Sequence, residues 1–131
     1  MKKALESPHV AKTKGPYVQG VAISNGTMIL TSGVVARNEH GQIVGIGDIR
    51  VQTRQCLANI RNIIEAGGGT LRDLAKVTVF VRDLRDYNAM NEVRREVLDG
   101  IPFASSTVQA MLNAPEALIE IEAIAFVSNQ P

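Results

Sequence analysis

Two stretches of the chain carry a helical apolar period, and most of the remainder alternates or is broken by turn residues. From Asp48 to Ala66, Cys56, Leu57, Ile60, Ile63 and Ile64 recur at three- and four-residue spacing. That spacing predicts a helix with one apolar stripe, N-capped by Asp48 and ended by Gly67 at the C′ position. From Arg85 to Asp99 a second helix is expected, with Met90, Val93, Val97 and Leu98 inward and Glu92, Arg94, Arg95 and Glu96 outward; Gly100 stops it. Tyr17 to Ser24 and Thr27 to Gly33 read as strands. Asn25-Gly26 between them predicts the two-residue type I′ turn of a hairpin, because both central residues need positive φ. Asn38 to Gly45 is a loop or small second hairpin. Thr70 to Leu74 is a turn, and Lys76 to Val81 a strand with Val77, Val79 and Val81 on one face. Residues 101–127 close the chain with a hydroxyl-rich strand, a Pro-containing loop, and a strand carrying two carboxylates.

Residues 1–16 are polar, end at Gly15-Pro16 and are expected to form an irregular arm, so the order is β-β-α-β-α-β-β over one domain, residues 1–131. Two helices and one sheet make an α+β two-layer sandwich, both helices on one face of a mixed sheet. In the last strand Ile119, Ile121, Ala123 and Ala125 point toward the helices, while Glu120, Glu122, Ile124 and Phe126 point away. With Phe80 on the same side, that face is a poor solvent surface, and an oligomer is expected.

Composition narrows the function classes. The 131 residues carry a net charge of +1, with 21% charged residues. There is no concentrated Lys/Arg surface of the kind that neutralises phosphates, which argues against nucleic acid as a partner. The single cysteine, Cys56, excludes an intrachain disulfide, and its place on the helix stripe predicts a buried, inert thiol. No apolar run approaches the length of a membrane span. Lys2 and Lys3 lack a following apolar signal region, so a cytoplasmic location is expected.

No Gly-rich phosphate-binding motif is present, since Gly67-Gly68-Gly69-Thr70 follows a helix instead of opening one. His9 and His40 have no ligand-spaced partners, so no metal is expected. Ser32, Ser105 and Ser106 lack a nucleophile-elbow signature. Glu120 and Glu122 share one strand face about 7 Å apart. Partial burial and mutual repulsion suit one of them to orient or deprotonate a water; the competing reading pairs both with Arg or Lys across a subunit contact. Ser105, Ser106, Thr107 and Gln109 supply donors on the neighbouring strand.

Several segments, in order from residue 15 to 127, resemble the YjgF/RidA (reactive intermediate deaminase) family. Gly15-Pro16-Tyr17-Val18-Gln19 is similar to its GPYSQ motif, Thr31-Ser32-Gly33 to its TSG strand end, and the run from Asp48 to Leu57 to its DIxxQTRQ helix start. Lys76 to Val81, Asn91-Glu92-Val93 and Glu120 to Ala125 match as well. The resemblance implies a homotrimer of chorismate-mutase-like subunits with clefts between neighbours, hydrolysing enamines and imines without metal or cofactor. It further implies a water held by Glu120, and a small-molecule site that includes Tyr17, Ser32, Gly33, Asn91, Ser105 and Thr107. The family's substrate-carboxylate arginine lies in a Pro-Ala-Arg-Ser/Thr motif, where this chain reads Phe103-Ala104-Ser105-Ser106. Replacing a bidentate guanidinium by a hydroxyl costs about 2–4 kcal/mol of binding. The expected substrate is therefore an imine or enamine other than a simple 2-imino acid; the alternative is a trimer that binds a metabolite without chemistry. Arg37, just past the TSG strand, is a candidate replacement cation. A ribonuclease or translation-inhibitor role, attached to parts of the family, gains no support from the charge balance.

Overall fold

The computed structural model describes residues 1–129. Its strands are β1 (Lys2–Leu5), β2 (Gly20–Ile23), β3 (Gly26–Leu30), β4 (Val34–Val35), β5 (Leu74–Val81), β6 (Ala104–Gln109) and β7 (Ile119–Ser128), and its helices are α1 (Ile49–Ala66) and α2 (Tyr87–Val97). The main sheet has the order β3-β7-β5-β6, with β4 also on β7. β5 and β6 run parallel and the other pairs antiparallel, so the sheet is mixed. The two-layer α+β sandwich expected from the sequence is the fold observed.

One core lies between sheet and helices. Val77, Val79 and Val81 of β5 and Ile119, Ile121 and Ala125 of β7 are buried against Leu57, Ile60 and Ile64 of α1 and Met90 and Val93 of α2. Asp48 caps α1, its carboxylate accepting from the amides of Arg50 (3.0 Å) and Val51 (3.2 Å). Ile63 departs from the predicted stripe and stays partly exposed. The glycine run ends α1 as expected, but the left-handed residue is Gly68 (φ +87°), one later than Gly67. Thr70 to Leu74, read as a turn, contains a short 3-10 helix, Leu71–Asp73, closed by a reciprocal Thr70–Asp73 capping box.

Two expectations fail at the N-terminus. The arm is not wholly irregular, because Lys2–Leu5 pairs antiparallel with Gly20–Ile23. The predicted hairpin across Asn25-Gly26 does not form. Asn25 adopts φ +56°, but Gly26 does not follow it into positive φ, and β3 leaves to pair with β7. A type I′ turn needs both residues left-handed, so one alone redirects the chain.

The outer face of the sheet is less uniform than the pattern suggested. Phe126 is buried within the chain, packed beside Gly26. Met28, Leu30 and Val108 are the large apolar residues of β3 and β6 left exposed.

Candidate functional site

The Gly15-Pro16-Tyr17 turn is fastened to the sheet by main-chain and side-chain bonds. The Val18 amide donates to the Phe103 carbonyl at 2.9 Å, just before β6. Gln19 accepts from the Ser7 amide (2.7 Å) and donates to the Val10 carbonyl (3.1 Å), gathering the preceding loop around the turn. A side chain on Gly15 would collide with the Tyr17 ring, so the glycine lets the phenol fold back. Tyr17 is thereby set beside the free edge of β6. There a cavity of about 570 Å³ is lined by Tyr17, Leu84, Tyr87, Ser105, Ser106 and Thr107.

Behind Ser105 stands a cation whose residue type predicts a place in solvent. Arg94 of α2 is fully buried. Its Nη1 donates to Ser105 Oγ at 2.7 Å, while Nε and Nη2 donate to Asn91 Oδ1 at 3.1 and 2.9 Å. The guanidinium carbon lies 5.8 Å from the Phe103 ring centroid, within cation–π range. No carboxylate pairs with it among the described residues. Burial lowers its pKa to about 10, so it remains charged at neutral pH. A desolvated cation without an anion carries a penalty of several kcal/mol, which two neutral acceptors and a ring offset only in part. Tyr17, held first by burial and then by the neighbouring Tyr87 phenol, has its pKa raised and stays protonated.

The missed signal was in the spacing. Arg94 is four residues beyond Met90 and three before Val97, squarely on the inward face; its charge, not its position, suggested the outside. Asn91, also buried, serves Arg94 and does not line the cavity.

Glu120 occupies a second locality. It sits opposite Val35 and Phe80 in register. A Cβ at Gly33 would fall 2.5 Å from Glu120 Oε2, so the bare backbone of Gly33 is what accommodates the carboxylate. Thr31 fixes this strand end to β7, its hydroxyl accepting from the Ala123 amide at 2.9 Å and its amide donating to the Ala123 carbonyl. Exposed Ser32 lies between Thr31 and Gly33. The start of β7 is held by buried Gln52, which accepts from the Leu118 amide (2.8 Å) and donates to the Glu116 carbonyl (3.0 Å), and by Arg82, bonded to the Ala117 and Ala114 carbonyls. Among the described residues no Arg or Lys pairs with Glu120. Cys56 is buried near it, its thiol pushed up to about 12 by burial and then by the Glu120 charge.

The structure therefore gathers the predicted residues into two groups. Tyr17, Ser105 and Thr107 share the β6-edge cavity; Ser32, Gly33 and Glu120 lie at the β4–β7 side. The strand order β7-β5-β6 puts Glu120 two strands from Ser105, and the register sets it three residues further along, a separation of roughly 14 Å, with their side chains leaving opposite faces of the sheet. Arg37 belongs to neither anchoring group. Its guanidinium bonds the Gly41 carbonyl of its own loop at 2.8 Å, along a separate cavity that Gly33 also lines. No cluster of three or more metal-ligating side chains occurs among the described residues.

The family model described as Endoribonuclease L-PSP matches residues 8–127. The chain belongs to the Rid/YjgF family. A RutC family protein of Pyrococcus horikoshii is 40% identical over 127 residues, covering 96% of this chain and 98% of its own. The Rid family protein YyfB of Yersinia pestis, of unknown function, superposes with a TM-score of 0.84 at 28% identity, covering 96% of this chain and 98% of its own. Escherichia coli TdcF, solved with bound serine, gives 0.71 at 35% identity, with 96% and 99% covered. Within the GPY, TSG and QTRQ segments, Gly15 makes room for the Tyr17 ring, Gly33 makes room for Glu120, and Gln52 holds the start of its strand.

Proposed function

We propose that the chain is an enamine/imine deaminase-like hydrolase whose site is completed between copies of a homotrimer. The observation that carries this reading is the division of the site. The β6-edge cavity offers hydroxyl and phenol donors, but Glu120 lies across the sheet on its other face. A neighbouring copy bringing its Gly33–Glu120 side to the Tyr17–Ser105 cavity makes one site of the two halves. The exposed Met28, Leu30 and Val108 supply apolar surface for such a contact.

The reaction requires little. Water adds to the C=N carbon, and Glu120 accepts the water proton and passes it to the imine nitrogen. The resulting carbinolamine gives its hydroxyl proton through Glu120 to the amine nitrogen, which leaves as ammonia, and a carbonyl product remains. Holding one water and one proton acceptor against an electrophilic carbon contributes about 10²–10⁴-fold. Serine bound to TdcF fits a ligand of amino-acid size. The second reading, a trimer that binds a metabolite without turnover, is favoured by the anchor at position 105 being a hydroxyl. Its own cation sits behind it and outside the cavity lining.

Ammonia release from 2-aminoacrylate and from bulkier enamines tests the proposal. Turnover by the native chain that drops at least about 100-fold in Glu120→Ala supports it. Turnover that survives the substitution refutes the role of Glu120, and no turnover on any enamine leaves the binding reading. Light scattering at micromolar concentration should give a trimer; a monomer would contradict the composite site.

A further inference from the structure

A fully buried guanidinium with no carboxylate partner, one hydroxyl away from an open cavity, is the feature that the fold alone does not explain. The ion pairs among the described residues are solvent-facing, such as Arg50–Glu92 at 2.5 Å and Arg85–Asp83 at 2.6 Å. Arg94 differs in being buried and in meeting only neutral acceptors, Asn91 Oδ1 and Ser105 Oγ. The Ser105 oxygen accepts from Arg94 Nη1, and Arg has no acceptor to offer in return. The single hydroxyl proton of Ser105 must therefore be given elsewhere, and Ser105 lines the cavity. Asn91 holds the guanidinium by two of its nitrogens, fixing the plane from which Nη1 reaches Ser105. The result is a neutral donor at the cavity wall with a fixed positive charge directly behind it.

We infer that Arg94 is a positioning residue that turns the Ser105 hydroxyl into the cavity as a donor and makes the cavity prefer a ligand carrying a carboxylate over its neutral counterpart. The inference rests on the proposed small-molecule site but not on its chemistry. An anionic oxygen accepting from Ser105 receives a hydrogen bond polarised by the cation and gains the counter-charge that Arg94 lacks in the protein. Because the guanidinium stays outside the cavity, the contact is one donor and not a two-pronged fork. This geometry leaves room for a group bulkier than a directly clamped carboxylate would permit.

Binding of pyruvate and of pyruvamide to the intact protein, measured by calorimetry or by ligand line broadening, tests the inference without turnover. Wild type should bind pyruvate at least about tenfold tighter than pyruvamide. Arg94→Met should bring the two together, and Arg94→Lys, which keeps the charge, should retain part of the preference. Arg94→Met combined with Ser105→Arg should restore it. Ser105→Ala removes the donor and should weaken pyruvate more than pyruvamide; this variant carries the decision if Arg94→Met fails to fold. A wild type without preference, a folded Arg94→Met with the full preference, or an unchanged ratio in Ser105→Ala overturns the inference. Ammonia release separates this outcome from the fate of the hydrolase reading. Turnover without pyruvate preference removes only the role of Arg94, and pyruvate preference without turnover removes only the hydrolase.

Discussion

The two halves of the proposed site hold their charges by opposite means. At β6 a cation is sealed from water, bonded to neutral partners and felt through a serine. At β7 a carboxylate is half-exposed and kept in place by the missing side chain of Gly33. The first arrangement depends on burial and is expensive to disturb electrostatically. The second depends on space and is sensitive to a single methyl group. Substitutions at the two places should therefore fail differently, one in stability and the other in activity.

The largest separation is expected at Ser105→Arg in the native background. A second guanidinium would arrive beside buried Arg94 with no carboxylate to share. We expect a loss of about 2–4 kcal/mol in urea unfolding. An unchanged midpoint would mean that Arg94 can leave its buried position. Gly33→Ala should act in the other sense. The new Cβ displaces the Glu120 carboxylate, and enamine turnover should fall about tenfold, about 1.4 kcal/mol of barrier, while the unfolding midpoint moves little. The smallest effect is at Cys56, where burial raises the thiol to about 12. Its folded pKa lies above the unfolded value, so the thiolate is withheld through pH 8–10 and appears only on unfolding. A thiol reagent at pH 8 should react with the native protein no faster than the protein unfolds.

The comparison also explains which features could be read from the chain. Local periodicity placed both helices, the β5 and β7 alternation and the buried thiol, because each depends on neighbours three, four or two residues away. The Asn25-Gly26 hairpin failed because β3 finds a partner about a hundred residues later and β2 one near the start of the chain, which no local pattern encodes. Arg94 shows a different kind of miss. Its spacing with Met90 and Val97 marked it as inward, and the charge of the residue type outweighed that signal. Where period and residue type disagree, as here, a functional or strained position is the expected reason. Gly33 was legible as a motif residue, but its physical role, room for Glu120, needed the register of β4 against β7.

Subunit mixing tests the composite site most directly. Ser105→Phe should fill the β6-edge cavity, and Glu120→Ala removes the proton acceptor, so each homo-oligomer should be inactive. Co-assembled at equal amounts, random mixing pairs an intact cavity with an intact Glu120 of the next copy in about one site in four for a closed ring. The account predicts recovery of about a quarter of the wild-type ammonia release. Mixed assemblies that form but remain as inactive as either parent would show that both halves act within one protomer, contrary to the site described.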